Sequence, residues 1–277
     1  MRWTRGGRDN IQDLRGRSGG RMAGMGLGGF VILLLLSWAT GTDFLSLFGG
    51  NLSAPPDSEV GSSQPVSSSP AEERAVDFVD AVAGDTQSVW QELLGTRYQR
   101  TQVVLFRDRI DSACGSAESA TGPFYCPADR KVYLDLGFFA ELSERFGAPG
   151  DFAQAYVIAH EFGHHVQHIT GLDADARRDR RPGPESASVA LELQADCFAG
   201  VWGHHASRGG RFQAGRVELE PGDAEEGLRA AAAIGDDRLQ KMSSGRVVPE
   251  RFTHGSSAQR MEWFQRGLSS GDPRRCG

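Results

Sequence analysis

The pentapeptide His160-Glu161-Phe162-Gly163-His164 sets two imidazoles four residues apart, with a carboxylate directly after the first. On a helix, residues four apart share a face, so both rings can point at a single ion. Glu161 is offset from that face and can reach a water on the ion instead of the ion itself. One Zn2+ is the expected cofactor, because zinc accepts nitrogen and oxygen ligands and lowers the pKa of a bound water to about 7. Glu161 is then the expected general base, taking the water's proton and passing it to a departing amine. Taken by itself, the motif also admits a plain reading as two satisfied histidines on a polar helix face.

A catalytic zinc needs a third protein ligand and keeps one position open. His168 lies two helical turns, roughly 12 Å, from His160 and cannot share a tetrahedral ion with both other histidines. A further histidine on the metzincin spacing is excluded, since Gln167 and Thr170 stand where Gly and His would be required. Glu192, in Leu191-Glu-Leu-Gln-Ala-Asp196, is the expected ligand, with Asp196 one turn later on the same face. Asp196 is expected to accept the second ring N–H of a ligand histidine, His160 before His164, and so fix its tautomer. Apolar neighbours on both sides (Val189, Leu193, Ala195, Phe198) argue against a solvated face.

These side chains must be carried by well-defined elements. Asp151-Phe-Ala-Gln154 has the form of a capping box and opens a helix to Thr170, with Gly171 as its C-cap. The breaker Pro182-Gly183-Pro184 leads into a helix over 184–205. Helical spacing predicts further helices over 71–94, 223–242 and 256–268. Thr101–Phe106 is a β-branched strand, and Tyr125 with Lys131–Leu134 forms a second strand region around a turn. The class is therefore α+β, mostly helical with a small sheet.

The net charge of −6 gives no basic footprint for nucleic acid, so no nucleic-acid partner is expected. Six arginines nevertheless crowd residues 1–21, and no charged residue occurs from Met22 to Ala39. By length and by the positive-inside rule, this predicts an Arg-rich cytoplasmic head (1–21) and one transmembrane helix (22–41). Residues 49–70, rich in Ser, Pro and Gly, read as a flexible linker, and 71–277 as the catalytic domain. The expected location is the cell membrane, single-pass, with the N-terminus cytoplasmic and the catalytic domain beyond the membrane. A cleaved signal peptide is the competing reading. If that compartment is oxidising, Cys114 and Cys126, which bracket a turn-rich segment, are expected to pair; pairing of Cys197 with Cys276 is left open.

Gly122-Pro-Phe-Tyr-Cys-Pro-Ala-Asp129, Val132-Tyr-Leu-Asp135, His160–Gln167, Glu192–Gly200 and Phe252-Thr-His-Gly-Ser-Ser256 together resemble the bacterial neutral zinc metallopeptidases, the YpfJ-like family. The likeness spans nearly the whole chain. It implies a zincin-like fold and a membrane-anchored peptidase acting on a peptide or protein substrate, without saying which. The active-site pattern is also similar to thermolysin-like and HtpX-like enzymes, which supports Glu192 as ligand. By the same analogy, the Phe124–Leu134 region would pair with substrate as an edge strand. His254 resembles an HtpX-like histidine and would donate to the developing oxyanion, with Tyr125 as rival donor and substrate contact. The alternative function is a catalytically inactive zinc-binding scaffold that recognises peptides.

Overall fold

The computed structural model describes residues 1–16, 68–179, 181–208 and 216–277. In chain order these form β1 (Arg2–Trp3), β2 (Ile11–Asp13), α1 (Pro70–Leu94), β3 (Val103–Phe106), β4 (Arg109–Ser112), β5 (Gly115–Glu118), β6 (Phe124–Cys126) and β7 (Lys131–Asp135). There follow α2 (Gly137–Glu144), α3 (Asp151–Thr170), α4 (Ala174–Arg178), α5 (Ala187–Ala206), β8 (Val217–Glu218), α6 (Asp223–Ala233), α7 (Asp236–Ser244) and α8 (Ser257–Ser270). The α+β class expected from the pattern is the one observed.

The main sheet has the order β2-β3-β7-β6. β2, β3 and β7 run parallel, and β6 is an antiparallel edge strand on β7, with Phe124 opposite Tyr133. Val103, Leu105, Val132 and Leu134 send alternate side chains into one core with α1 and α3 (Val79, Val82, Tyr156, Ile158), as a strand of period two requires. The opposite face carries a smaller cluster of Val104, Phe106, Cys126 and Tyr133. Cys126 is bridged to Cys114, tying the β4–β5 hairpin to the edge strand.

Membrane anchoring requires correction. The segment 22–41 expected to cross a bilayer, and the linker up to residue 67, lie outside the described residues. Among the described residues no helix is long and apolar enough to cross a membrane. The two flanks of the expected span also share one sheet: Ile11, Gln12 and Asp13 pair in register with Val103, Val104 and Leu105. Strands joined by backbone hydrogen bonds cannot lie on opposite sides of a bilayer, so a single-pass arrangement with a cytoplasmic N-terminus and an exported catalytic domain does not hold.

The N-terminal arginines among the described residues, Arg2, Arg5, Arg8 and Arg15, have partners within the folded body. Residues 1–15 and 67–277 make one compact unit. Arg5 and Arg8 pair with the buried Asp77 at 2.6 and 2.7 Å, and Arg15 pairs with Asp13, Glu72 and Glu73. Hydrogen bonds from Ser68, Arg8 and Arg15 hold the Glu73 carboxyl down at about 2. Asp80 accepts from the backbone of Arg8 and from Asn10. A chain beginning at Ser68 would bare the β3 edge and leave Asp77 and Asp80, each 2 % exposed, without these donors. Such a fragment is expected to lose about 3–5 kcal/mol against the full chain in denaturant melts, the usual cost of orphaning buried charges.

Two local expectations also changed. The helix predicted over 223–242 is broken into α6 and α7 at Ile234-Gly235. A Cβ on Gly235 would lie 2.3 Å from the Ser257 nitrogen, so the chain passes α8 there with only backbone between them. The capping box expected at Asp151 is absent. Glu226 of α6 accepts from the Phe152 N–H at 3.1 Å instead, capping α3 from a distant element.

Candidate metal centre

α3 supplies His160, Glu161 and His164, and α5 runs antiparallel beside it, placing Glu192 and Asp196 against His160 and Leu191 against Gln167. The helices touch where a Cβ on Gly163 would meet the Ala195 backbone at 3.0–3.1 Å, which lets the ligand-bearing faces approach closely. α8 approaches α5 more closely still: a Cβ on Gly267 would lie 1.9 Å from the Cys197 oxygen, and one on Gly200 2.1 Å from the Phe264 oxygen. That contact delivers Arg260 into the interior. The Cys197–Cys276 bridge ties α5 to the end of the chain.

His160 Nε2 lies 3.2 Å from Glu192 Oε2, and His164 Nε2 lies 3.5 Å from Glu192 Oε1. The three donor atoms fall within 4.8 Å of one another. Ligands about 2.05 Å from a tetrahedral zinc are about 3.3 Å apart, so each imidazole lies at a ligand-to-ligand distance from one of the two Glu192 oxygens. The other ring nitrogens are occupied: His160 Nδ1 by Asp196 Oδ1 at 2.8 Å, and His164 Nδ1 by Gln167 Oε1 at 2.9 Å. With Nδ1–H donating to these oxygens, Nε2 of each ring is the atom left to bind a metal.

The imidazoles and the carboxylate shift one another's ionisation. Burial lowers the His160 pKa, but Asp196 and Glu192 outweigh it and raise it to about 10. Burial raises that of Glu192, and His164 and His160 overcome it to hold the carboxyl well below its ordinary range. A divalent ion held by these groups would take the place of their protons. Glu161 is 7 % exposed, and its Oε2 is buried with no hydrogen-bond partner. Burial pushes its pKa upward. An orphaned acceptor beside a ligand cluster fits a site built to receive a water or other donor.

Asp196 is held harder than its place in the sequence suggests. Arg260, 3 % exposed, grips it through Nε at 2.8 Å and Nη2 at 2.9 Å, and the Tyr156 hydroxyl donates to the same carboxylate. Burial raises the Asp196 pKa, but Arg260 and His160 more than offset this and keep it ionised. Sequence reasoning missed Arg260, Tyr156 and Gln167 as partners of this cluster. Two signals were present: Gln167 lies three residues after His164 on one face, and Arg260 shares a helical stripe with the buried Phe264 and Gly267.

A cleft of about 730 Å³ opens over the cluster, lined by His160, Glu161, His164 and Glu192, by the edge strand β6, and by His254. Asp236 Oδ2 accepts from the backbone N–H of Thr253, His254 and Gly255, while Oδ1 lies 3.2 Å from His254 Nδ1. The hydrogen bond with Asp236 raises the His254 pKa, which favours the protonated ring, the form with an Nε2–H to donate. Tyr125 differs. Burial drops His165 to about 4, so this neutral ring donates Nε2–H to the Gln99 carbonyl and accepts at Nδ1 from the Tyr125 hydroxyl at 3.1 Å. The one proton of Tyr125 is thereby committed away from a substrate oxygen. His204 and His205 bond to the Leu268 and Gly271 carbonyls, apart from the cleft lining.

The chain is 44% identical over 293 residues to "Uncharacterized protein YpfJ" of Escherichia coli (strain K12), covering 100% of this chain and 98% of that protein. It is 45% identical over 202 residues to "Uncharacterized protein Rv2575" of Mycobacterium tuberculosis (strain ATCC 25618 / H37Rv), covering 72% of this chain and 68% of that protein. No solved structure matches. The family described as "Putative neutral zinc metallopeptidase" matches residues 1–277, and the chain belongs to it.

Proposed function

We propose that this protein is a zinc-dependent peptidase, with His160, His164 and Glu192 holding the metal and Glu161 as general base. The observation that carries this reading is the clustering of donor atoms from His160, His164 and Glu192 within 4.8 Å of one another, beside a buried carboxylate oxygen that has no partner, both lining one cleft. When bound, zinc would polarise the scissile carbonyl and lower the pKa of water to about 7. Glu161 takes the proton of the attacking water and hands it to the departing amine nitrogen; burial raises its pKa and makes it the stronger base. Asp196 and Gln167 hold the two imidazoles in the productive tautomer, and Arg260 keeps Asp196 from taking the His160 proton. His254, oriented by Asp236, donates to the oxygen that gains charge. The β6 edge offers backbone groups for an extended peptide, and the Tyr125 ring lines that edge.

An inactive zinc-binding scaffold would need the ligands but not a carboxylate at Glu161, so the buried orphan oxygen favours catalysis. The test uses the full chain. Purified protein is expected to carry about one zinc and to cleave a mixed-peptide library, read by mass spectrometry, with both the zinc and the cleavage lost on chelation. Metal-free protein, or cleavage indifferent to the chelator, would refute the proposal.

A further inference from the structure

The two metal-facing imidazoles are oriented by different chemistry. His160 Nδ1 meets the ionised Asp196 carboxylate, which can only accept, so that ring has one choice. His164 Nδ1 meets Gln167, a primary amide with an acceptor at one end and a donor at the other. Presented with the amide NH2, a neutral ring would have to accept at Nδ1, and its proton would move to Nε2, the atom left for the metal. The fold must therefore settle which end of Gln167 faces the ring. Gln167 is fully buried, and its Nε2 donates to the Leu191 carbonyl at 2.7 Å and to Gln194 Oε1 at 3.1 Å. Gln194 is an amide as well, and it is set in turn by the Cys276 carbonyl, which accepts from Gln194 Nε2 at 3.1 Å. A backbone carbonyl can only accept, so each amide between Cys276 and His164 has its nitrogen end fixed. Cys276, itself buried, is held in place by its bridge to Cys197, one turn after Gln194 on α5.

We propose that Gln194 is a positioning residue for the metal centre: anchored by the Cys276 carbonyl, it holds Gln167 with its oxygen toward His164 and so keeps His164 Nε2 open for the ion. This rests on the reading of His164 as a metal ligand. A flipped Gln167 would bring its oxygen against the Leu191 carbonyl and Gln194 Oε1, three acceptors with no proton among them. The Leu191 carbonyl opposes that flip through one hydrogen bond and Gln194 through a second, so removing the acceptor at 194 gives up half of the restraint. Were Gln194 not anchored, it could turn its own NH2 toward Gln167 and accommodate the flipped amide. Gln194 does not line the cleft, so its influence on the ion runs through Gln167. α5 thus serves the centre twice, offering the Glu192 carboxylate directly and setting the His164 ring from behind.

Zinc affinity of the full-length protein is measured by chelator competition, and solvent exchange of the His164 Nδ1 proton by 15N NMR on zinc-loaded and metal-free samples. Gln194→Met keeps the length of the side chain but has no amide. It is expected to weaken zinc binding about tenfold, the lower end of the range for losing a partner of a metal-binding histidine. It is also expected to speed exchange at His164 Nδ1 and to leave His160 Nδ1 unchanged. Gln194→Glu loses the bond to Cys276 too, but its carboxylate offers Gln167 an acceptor whichever way it turns, so wild-type affinity and slow exchange are expected to return. In a Gln167→Met background neither change at 194 is expected to alter zinc affinity further, because the intermediary is gone. Equal losses in Gln194→Met and Gln194→Glu would make Gln194 a contact for the C-terminal turn alone and overturn the proposal. Wild-type affinity in Gln194→Met, or an undiminished loss in the Gln167→Met background, overturns it as well. If wild-type protein takes up no zinc, the metal-ligand reading fails by itself. Exchange in the metal-free protein then decides the relay, and His164 protection untouched by Gln194→Met overturns it.

Discussion

Glu161→Gln is expected to keep one zinc per chain and to lose peptide hydrolysis by on the order of 10³-fold, within the range general acid–base groups contribute. Glutamine preserves the shape of the side chain and both hydrogen-bonding positions but can neither accept nor deliver the proton. The ligand atoms of His160, His164 and Glu192 belong to other residues, so metal uptake has no reason to change. Stability is expected to hold or rise, because the wild-type carboxylate is buried with one oxygen unpaired and its pKa raised by that burial. Metal analysis, thermal melts and a peptide digest on the same preparation read the three quantities together. Hydrolysis near the wild-type rate would remove Glu161 from its assigned role. Loss of zinc would instead make it part of the metal-holding set.

The second large effect is expected at Asp196. Alanine there leaves the Arg260 guanidinium, 3 % exposed, without its carboxylate and strips His160 Nδ1 of its acceptor. Orphaning a buried charge costs about 3–5 kcal/mol, and losing the group that orients a metal-binding histidine costs about 10–100-fold in metal affinity. The two consequences come apart in a double variant. Asp196→Leu combined with Arg260→Met removes both charges and is expected to recover most of the stability, since apolar replacement of a buried pair is often neutral. It is not expected to recover zinc affinity, because His160 still lacks its partner. Denaturant melts measure the first quantity and competition against a chromophoric chelator the second. Full-strength zinc binding by the double variant would show that Asp196 acts on folding alone and does not position the ring.

Local rules read the elements with strong periodicity and the residues whose chemistry depends on spacing along one helix. The two histidines and Glu161 need only the helical repeat, and α3 ends at Gly171 as its glycine dictates. The capping box of α8 at Ser256 and Gln259 is likewise local. Glu192 was legible because a carboxylate and an aspartate one turn apart sat among apolar neighbours. The edge strand β6 and the bridge between Cys114 and Cys126 lie in segments where turn residues and β-formers mark their own boundaries.

What depends on distant segments was not legible. The N-terminal arginines look like the flank of a membrane span when read along the chain. Their acidic partners on α1 lie some 60 to 75 residues away, and no local pattern announces a strand that joins a sheet across such an insertion. The break at Gly235, the capping of α3 by Glu226, and the grip of Arg260 on Asp196 likewise arise where separate elements pack. The physical reason is one of range. Backbone periodicity and capping act over one or two turns, so the amino-acid order alone determines which side chains can face a metal together. Whether a buried charge meets its opposite, and from which helix, is decided only when the packed chain excludes water and leaves each charge one partner to find.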